Sequence, residues 1–194
     1  SQSLRRRLHE AAVRIAPILG YRGASTNAIL DAPERDAFYF LEMNTRNQVE
    51  HPVTEAVTGA DLVAEQIGIA AGEGLRSRQS DIRPRGCAIE CRVNAEDPAR
   101  GFQPSPGRVG TVSWPSGEGI RVDTHIESGA GIPPFYDSLM AKIIAHGVDR
   151  EAALERMWQA IAATRIQGVS TNLTFHSPVL ASREFQAGGV DTGF

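Results

Sequence analysis

Residues 38–54 read FYFLEMNTRNQVEHPVT, an apolar aromatic run followed by a row of polar side chains. The apolar residues at Ala37–Leu41 predict a β-strand. Beyond them, polar residues recur at every second position, so in an extended chain they would share one face: Glu42, Asn44, Arg46, Gln48 and Glu50. A strand that covers a core alternates polar with apolar residues, and here the intervening residues form only a weak apolar face. The row is therefore interpreted as a functional site, with a solvated strand face as the alternative.

The residue types in this row favour different chemistry along its length. Glu42 and Asn44 offer hard oxygen ligands roughly 7 Å apart in an extended strand, which suits Mg²⁺ or Mn²⁺ bound together with nucleotide phosphates. Arg46 and Gln48 donate hydrogen bonds and suit a small planar oxyanion, and Glu50 is a candidate general base. A fully extended row would separate Glu42 from Glu50 by roughly 26 Å. Either the chain curls after Asn44 to form one site, or the row lines a groove.

A second stretch, Arg85–Asp97, alternates in the way that predicts a half-buried strand. Its apolar face carries Cys87, Ile89, Cys91 and Val93, and its polar face carries Glu90, Arg92 and Asn94. Arg92 is either oriented by Glu90 toward an anion or part of a surface salt-bridge ladder. The two cysteines lie roughly 13 Å apart along one strand face, which is too far for a disulfide. They are predicted to be buried thiols in a reducing compartment.

Two proline-containing loops, Phe102–Gly107 and Gly131–Ser138, are expected to be rigid. Rigid loops often line binding sites, and plain turn architecture is the alternative. The histidines show no metal-ligand spacing, and His51, which precedes Pro52, is expected to end a strand. No Gly-x-Ser-x-Gly, P-loop or Gly-x-Gly-x-x-Gly pattern occurs, which disfavours a serine hydrolase, a Walker-type ATPase and a Rossmann protein.

The composition is that of a globular protein, with 194 residues, 41% hydrophobic and 22% charged residues, and a net charge of −3. No run approaches the ~18 apolar residues of a membrane span, and no apolar segment follows Arg5–Arg7 as it would in a secretory signal. The mildly acidic balance disfavours a nucleic-acid or membrane-surface protein. We therefore expect a cytoplasmic protein with no nucleic-acid or membrane partner.

Periodicity and turn residues divide the chain around a charged, proline-containing linker at 76–85. An α/β piece precedes the linker and an antiparallel-rich α+β piece follows it. Helices are predicted at Ser3–Leu19, at Ala60–Ala71 with Thr58 or Asp61 as its cap, from Asp149 to about Thr164, and at Thr171–Ala181, where Pro178 favours a short or broken helix. Strands are predicted at Thr26–Leu30, Ala37–Leu41, Cys87–Val93, Val109–Trp114, Arg121–Glu127 and Leu139–Ala145.

At these residues the chain resembles the C-terminal part of biotin carboxylase, the ATP-grasp component of acetyl-CoA, propionyl-CoA and pyruvate carboxylases. The string Glu-Met-Asn-Thr-Arg-x-Gln-Val-Glu-His-Pro-Val-Thr-Glu at 42–55 carries the resemblance, together with Arg85–Asp97, Phe102–Gly107 and Pro133–Lys142. The resemblance implies an α+β fold in which residues 1–75 are the last part of an ATP-grasp domain. Residues 76–85 would be a linker, and 86–194 the biotin carboxylase C-terminal domain, an antiparallel sheet packed with helices.

The family's reaction uses ATP to phosphorylate bicarbonate, and the CO₂ released from carboxyphosphate is captured by N1′ of biotin on a carrier protein. Transferred to this sequence, the resemblance implies that Glu42 and Asn44 bind the Mg²⁺ or Mn²⁺ that bridges the ATP phosphates. Glu42 would thereby also belong to the ATP site. The implied partners are a biotin carboxyl carrier protein or domain, a carboxyltransferase, and a second copy of the chain, which would face the region of Arg121.

The same resemblance also implies which residues bind bicarbonate and biotin. Arg46, Gln48 and the backbone of Val49 would hold bicarbonate. Glu50 would deprotonate the bicarbonate, and Arg92 would bind biotin and stabilise its enolate oxygen. Fixed donors that stabilise developing negative charge are often the largest catalytic contribution, so Arg46, Glu50 and Arg92 are the predicted catalytic residues.

Two departures from the family pattern limit the expected activity. The family's glycine-rich lid and most of its ATP-binding lysines have no counterpart in these 194 residues, so we expect the chain to be inactive by itself. The segment Gly23–Ile29 also carries Ala28 where the family has a metal-binding glutamate. The alternatives are therefore a degenerate, non-catalytic homologue, or a module for dimerisation or carrier docking.

Overall fold

The computed structural model describes residues 2–32, 35–191 and 193–194, and these residues form two compact units. The first unit draws on residues 1–51 and 59–83, and the second on 52–58 and 84–194. The last passage from the first unit to the second occurs between Arg83 and Pro84. This point falls inside the predicted linker, and the three predicted domain bounds stay a prediction.

The first unit contains a long helix and an antiparallel hairpin. Helix α1 spans Gln2–Leu19 and confirms the helix predicted from Ser3. Strand β1 spans Thr26–Ala32 and pairs with strand β2 at Ala37–Asn44. Both strands continue two or three residues beyond their predicted ends, so the polar residues Glu42 and Asn44 are still part of the sheet.

Helix α2 spans His51–Thr58 and was not predicted from the sequence. The prediction that His51 ends a strand is wrong, because the chain turns at Val49–Glu50 and His51 begins this helix. Pro52 is compatible with the first helical turn, since the N–H groups there have no intrahelical acceptor. The apolar and polar pattern of so short a helix resembles that of a strand end, which explains the error.

Aspartate side chains cap the N-termini of two further helices. Helix α3 spans Leu62–Ala70, and the carboxylate of Asp61 accepts a hydrogen bond from the N–H of Ala64 at 2.8 Å. Asp61, rather than Thr58, is thus the cap. Helix α4 spans Arg150–Ala163 and begins as predicted, with Asp149 accepting from the N–H of Ala152 at 2.9 Å. Each cap satisfies an N–H group that the helix itself leaves without an acceptor.

The second unit is built around an antiparallel sheet, with helix α4 packed against one face. In chain order, its strands are β3 (Cys87–Asn94), β4 (Glu96–Asp97), β5 (Gln103–Pro104), β6 (Gly107–Arg108), β7 (Val112–Ser113), β8 (Ile120–Thr124), β9 (Gly131–Ile132), β10 (Leu139–Gly147) and β11 (Arg165–Ile166). Three of them form the main sheet in the order β3-β10-β8, and the short strands pair as β4-β5, β6-β9 and β7-β11. All these pairings are antiparallel, which confirms the α+β class.

The core lies between the main sheet and helix α4. The predicted apolar face of β3 is confirmed, and it packs with the matching face of β10 against the helix; the buried members are Ile89, Cys91, Val93, Ala141, Ile143, Ala145, Ala153, Met157, Ala160 and Ile161. Burying one such aliphatic side chain contributes roughly 1.5–3 kcal/mol. The opposite face of the sheet carries the polar residues of β3, so the packing of α4 determines which face presents Arg92.

Two predicted strands are shorter than expected because their backbone groups take other partners. The predicted strand Val109–Trp114 is reduced to β7, since the N–H of Val109 donates to Ala130 and that of Gly110 donates to Gln167. The predicted strand Arg121–Glu127 ends at Thr124, whose hydroxyl accepts a hydrogen bond from the N–H of Ile126. Neither interruption has a signature in the local alternation of residues.

The remaining helices complete the second unit. Helix α5 spans Leu173–Ala181. It begins two residues after the predicted start and continues through Pro178 without a break. Helix α6 spans Arg183–Ala187. Among the described residues, no helix has both the length and the apolar character needed to cross a membrane. Cys87 and Cys91 are free thiols, as predicted, with Cys91 fully in the core and Cys87 half-buried.

Candidate functional site

Strand β2 brings Glu42 and Asn44 together on one face of the hairpin. The side-chain amide of Asn44 donates a hydrogen bond from Nδ2 to Oε1 of Glu42 at 2.9 Å. Glu42 is exposed, and Asn44 is half-buried. This contact shows that the two side chains reach a common point, as two ligands of one cation must. Rotation of the Asn44 amide would direct Oδ1 rather than Nδ2 toward that point.

The hairpin register also locates the position opposite Glu42. Ala28 is the cross-strand partner of Glu42, and Thr26 is the partner of Asn44. Directly opposite residues of an antiparallel pair lie on the same face, with Cβ atoms roughly 5 Å apart. Position 28 is thus the neighbour from which a third ligand could reach the pair, and alanine has no ligating atom. Glu42 and Asn44 therefore offer one carboxylate and one amide as candidate metal ligands, and position 28 offers none.

Asp31 does not replace the missing carboxylate on this face. It lies three residues beyond Ala28 and pairs with Phe38. Because successive side chains alternate between the faces of a strand, Asp31 lies on the face opposite to that of Ala28 and Glu42. Within the described residues no cluster of three or more histidine, cysteine or acidic side chains could hold a metal ion. The pair fits a cation such as Mg²⁺, which keeps several waters and phosphate oxygens among its ligands.

The polar row does not continue as a strand beyond Asn44. Thr45 and Arg46 form a bend, and Val49 and Glu50 form a turn that leads into α2. The interpretation of the five side chains as one extended face is therefore wrong, and the alternative that the chain curls after Asn44 is confirmed. The curl removes the ~26 Å separation that an extended chain would impose between Glu42 and Glu50.

Hydrogen bonds at both ends hold this turn in place. Nδ2 of Asn47 donates to Oε1 of Gln66 on helix α3 at 3.0 Å, which ties the turn to the first unit. The carbonyl oxygen of Gln48 accepts from the N–H of His51 at 3.2 Å and lies 2.9 Å from Nδ1 of the same histidine. Gln48 and Val49 are half-buried, whereas Arg46 and Glu50 are exposed. A turn held by such contacts keeps its polar side chains in a reproducible arrangement.

Helix α1 supports the other end of the hairpin. The guanidinium of Arg7 donates to the carboxylate of Asp36 at 2.8 Å and lies over the ring of Phe38, with 5.6 Å between the guanidinium carbon and the ring centroid. An exposed ion pair of this kind contributes under about 1 kcal/mol, and the contact with the ring adds a comparable amount. These contacts attach the start of β2 to the long helix.

Arg92 belongs to the second unit, on the polar face of β3. Its side chain is 49% exposed, while that of the neighbouring Glu90 is 5% exposed. Nε of Arg92 lies 3.9 Å from Oε1 of Glu90, so the expected pairing of these two side chains is present. The half-exposed guanidinium retains donors that can reach an anion from solvent.

A charge network that sequence patterns did not reveal shares this face of the sheet. Lys142 on β10 is the cross-strand partner of Arg92 and of Asp123 on β8, and its Nζ lies 3.4 Å from the Asp123 carboxylate. Arg121 contacts both Asp123 and the buried Glu55 of helix α2 at 2.7 Å. The contact between Arg121 and Glu55 joins residues 66 positions apart. No local signal could have identified that pairing.

The network lowers the pKa of Asp123 below its ordinary value. Partial burial of Asp123 acts in the opposite direction and raises the pKa. The hydrogen bond and the charge of Arg121, followed by the charge of Lys142, outweigh that desolvation. The folded protein therefore favours the ionised carboxylate at this position.

The buried Cys91 does not supply a nucleophile. Burial, and secondarily the charge of Glu90, raises the pKa of the Cys91 thiol to about 12. Since the thiolate is the reactive form, Cys91 is inert near neutral pH. This agrees with its predicted role as a core residue.

The two proline-containing loops are fixed to different extents. The backbone N–H of Ser105 donates to the carbonyl of Ala95 at 2.8 Å, and its hydroxyl accepts from the N–H of Ser170 at 3.0 Å. In the other loop, Phe135 and Tyr136 are 85% and 82% exposed. These hydrogen bonds anchor the first loop. The rigidity of the two loops and their role in lining a site stay predictions.

The candidate residues thus form two groups. Glu42, Asn44, Arg46, Gln48, Val49 and Glu50 lie in the first unit, on β2 and the turn after it, and Arg92 lies in the second unit. The first group combines two oxygen ligands with an exposed arginine, a glutamine and a carboxylate within nine residues of chain. That combination can hold a cation and a small oxyanion near each other.

Comparison with known protein families gives two matches that together cover most of the chain. The biotin carboxylase C-terminal domain matches residues 90–194, which is more than half of the chain. The ATP-binding domain of the carbamoyl-phosphate synthase L chain matches residues 1–78.

Relatives and solved structures agree with these matches. The biotin carboxylase of Allochromatium vinosum is 50% identical over 191 residues, and the biotin carboxylase of a Nostoc species is 48% identical over 191 residues. Each alignment covers 98% of this chain but only 42% of the relative. The chain thus spans about two fifths of the length of the relatives it matches.

Solved structures similar to this chain also belong to biotin-dependent carboxylases. The biotin carboxylase domain dimer of Hydrogenobacter thermophilus 2-oxoglutarate carboxylase, determined with MgADP, ADP and bicarbonate, superimposes with a TM-score of 0.93 at 44% identity, covering 99% of this chain and 42% of that one. The urea carboxylase of Kluyveromyces lactis gives a TM-score of 0.93 at 39% identity and covers 100% of this chain and 17% of that one.

Proposed function

The chain belongs to the biotin carboxylase family, and we propose that it forms the C-terminal part of an enzyme that carboxylates biotin with ATP and bicarbonate. The observation that carries this proposal is the arrangement at the end of β2. There the contacting pair Glu42 and Asn44 is followed at once by the anchored turn with Arg46 and Glu50. One short segment thus presents ligands for a cation, donors for an oxyanion and a base.

Glu42 and Asn44 hold the divalent cation in this proposal. Mg²⁺ or Mn²⁺ at this pair would neutralise the negative charge of the ATP phosphates during phosphoryl transfer. The hydrogen bond of 2.9 Å between the two side chains supports this role, because it places their polar atoms beside each other. Support for this cation also comes from the Hydrogenobacter thermophilus domain, whose structure contains MgADP.

The turn after β2 binds and activates bicarbonate. Arg46 and Gln48 donate to its oxygens, because a planar guanidinium matches a planar oxyanion with two parallel hydrogen bonds. The backbone N–H of Val49 contributes a further donor. Glu50 removes the bicarbonate proton, which makes the oxygen nucleophilic toward the γ-phosphate of ATP. The bound bicarbonate in the Hydrogenobacter thermophilus domain supports an anion of this class.

Arg92 acts on the second substrate. When N1′ of biotin attacks CO₂, its ureido oxygen develops negative charge, and a guanidinium donor stabilises that charge. Arg92 suits this role because Glu90 lies beside it on the same strand face and its side chain is still 49% exposed. Biotin would be delivered by a carrier protein or domain, and the carboxyl group would then pass to a carboxyltransferase.

Mutations in the turn after β2 test the proposed reaction. We expect Arg46→Ala and Glu50→Ala each to lower biotin-dependent carboxylation by the complete polypeptide that contains residues 1–194 at least ~100-fold, since each removes a group that acts on developing charge. The assay follows ADP release with bicarbonate and free biotin. Arg14→Ala, which removes an exposed arginine from α1, is the matched control. Near-normal rates in either turn variant would contradict the assigned roles.

Residues 1–194 alone are expected to show no turnover. The relatives that carry the full activity are more than twice as long as the matched region. We infer that the part of a biotin carboxylase outside the matched region supplies further contacts to ATP. Bicarbonate-dependent ATP cleavage by the isolated 194 residues, at a rate comparable to that of the complete polypeptide, would contradict this expectation.

A non-catalytic function is the second candidate, and Ala28 favours it. The alanine lies opposite Glu42, where a carboxylate could complete the metal site. A homologue with weakened metal binding could be retained for dimerisation or for docking the carrier protein. Calorimetric titration of the complete polypeptide with ATP, in the presence and absence of Mg²⁺, separates the two functions. Tight binding that requires Mg²⁺ would argue against the non-catalytic candidate.

Assembly and cellular location complete the proposal. The Hydrogenobacter thermophilus relative is described as a dimer, and we infer that this protein also forms a homodimer. Its two free thiols are compatible with a reducing compartment, which supports a cytoplasmic location. Sedimentation of the complete polypeptide as a monomer at micromolar concentration would contradict the dimer.

A further inference from the structure

Strand β3 lies at the edge of the main sheet, so on one side its backbone pairs with no other strand of the described residues. The side chain of Asn172, which immediately precedes helix α5, takes the place of that strand. Its Nδ2 donates to the carbonyl oxygen of Arg92 at 3.0 Å, and its Oδ1 accepts from the N–H of Asn94 at 2.9 Å. The backbone N–H of Asn172 also donates to the carbonyl of Asn94 at 3.2 Å. The amide therefore reproduces the donor and acceptor pattern of a β-ladder.

His176 provides a second donor to the same carbonyl. Its Nε2 lies 2.8 Å from the carbonyl oxygen of Arg92, one helical turn after Asn172. A carbonyl oxygen can only accept, so Nε2 carries the hydrogen. Burial lowers the pKa of His176, although the hydrogen bond to Arg92 acts the other way. Nδ2 of Asn172 and Nε2 of His176 therefore both donate to the carbonyl oxygen of Arg92.

These contacts fix the backbone from which the Arg92 side chain extends. Asn172 is buried, with only 7% of its surface exposed, so its amide has no competing partner in water. The ring of Phe175, beside His176, packs edge-on against Phe102 with 5.0 Å between the centroids. Phe102 adopts a positive φ of 60°, a left-handed backbone conformation that residues with a side chain rarely adopt. The loop that carries Phe102 thus braces the same end of α5.

We propose that Asn172 and His176 are positioning residues that aim the guanidinium of Arg92 at biotin. The inference rests on the proposed function, because it takes Arg92 to be the group that stabilises the biotin enolate. An edge strand whose carbonyl lacks these donors moves more freely, and the guanidinium at the end of a long side chain follows it. A displacement of about 1 Å at a reacting group can lower a rate about 100-fold.

The test compares two reactions of the complete polypeptide that contains residues 1–194. One is carboxylation of free biotin, and the other is bicarbonate-dependent ATP cleavage without biotin, which does not use Arg92. We expect His176→Ala and Asn172→Ala to lower kcat for biotin carboxylation about 10- to 100-fold and to change the ATP cleavage less than about 2-fold. His176→Gln, which keeps an N–H donor, restores carboxylation to within about 5-fold. His125→Ala, an exposed histidine of the same unit, is the matched control.

A double-mutant cycle with Arg92→Ala separates the proposal from its premise. In the Arg92→Ala background, His176→Ala should cause no further loss of carboxylation, because there is no guanidinium to position. Equal losses of both reactions in His176→Ala, or an undiminished loss in the double variant, would show a merely structural role and overturn the inference. Unchanged carboxylation in His176→Ala would also overturn it. Full carboxylation by Arg92→Ala alone would instead contradict the proposed role of Arg92 itself.

Discussion

Substitution of Ala28 by glutamate should strengthen the binding of divalent cations by the hairpin. Ala28 is the cross-strand partner of Glu42, so a carboxylate at position 28 would lie roughly 5 Å from a cation held by Glu42. At that distance, a unit charge attracts a divalent cation by about 1.7 kcal/mol in water. Screening at physiological salt reduces this to about 0.9 kcal/mol. Because 1.4 kcal/mol corresponds to a tenfold change, Ala28→Glu should lower the Kd for Mn²⁺ about 5- to 15-fold.

The same substitution should act in the opposite direction on the metal-free protein. Two carboxylates roughly 5 Å apart on adjacent strands repel each other by up to about 0.8 kcal/mol in water. We therefore expect the free energy of unfolding of Ala28→Glu to fall by at most that amount without metal and to recover when Mn²⁺ is added. Tighter binding of Mn²⁺ together with a lower free energy of unfolding in the absence of metal would identify a direct electrostatic effect at Glu42.

Electron paramagnetic resonance of free Mn²⁺ measures the Kd, and two controls define the result. Ala28→Gln introduces a side chain of the same size without charge. Leu30→Glu places the same charge on the same strand face, at a position that is 55% exposed and roughly 7 Å further from Glu42. We expect a change of less than about 2-fold for either control. If the folded Ala28→Glu protein bound Mn²⁺ no more tightly than Leu30→Glu, the assignment of Glu42 as a metal ligand would be refuted.

The charge network and the core of the second unit lead to three further predictions. Arg121→Gln removes the guanidinium from the buried Glu55 carboxylate. The free energy of unfolding measured in urea should fall by about 1–3 kcal/mol, less than for a fully buried ion pair because Arg121 is half exposed. An unchanged free energy of unfolding would contradict a stabilising contact between Arg121 and Glu55. Since the pKa of Asp123 is lowered in the folded protein, its contribution to stability is present above the ordinary carboxyl pKa of about 4 and is lost as the pH falls through the folded value. The difference in unfolding free energy between wild type and Asp123→Asn should accordingly be present at pH 7 and shrink below about pH 4, and a difference that is independent of pH would be inconsistent with this origin. Cys91, whose pKa is raised to about 12, should react with N-ethylmaleimide at pH 8 more slowly than the half-buried Cys87. Mass spectrometry can follow the labelling of each cysteine, and equal labelling rates would contradict the burial of Cys91.

Local patterns in the sequence were sufficient for most elements of the fold. Alternation correctly assigned the buried face of β3, because each buried position there repeats every second residue. The Asp149 cap of α4 was also correct, since capping depends on one side chain and the backbone a few residues away. Polar residues at every second position after Asn44 left open either an extended groove or a curled chain, and the structure has the curl. Helix α2, which follows the curl, was missed.

What the sequence by itself determined was the set of candidate chemical groups, the helices and strands that carry them, and the family to which the chain is similar. Those properties depend on residue types and on periodicity over a few positions. The tertiary structure alone decided that Ala28 faces Glu42, that Arg121 meets Glu55, and that Asn172 and His176 bind the carbonyl of Arg92. The last contact joins residues about 80 positions apart. Such partners are chosen by strand register and by the packing of distant elements, which no local pattern of residues records.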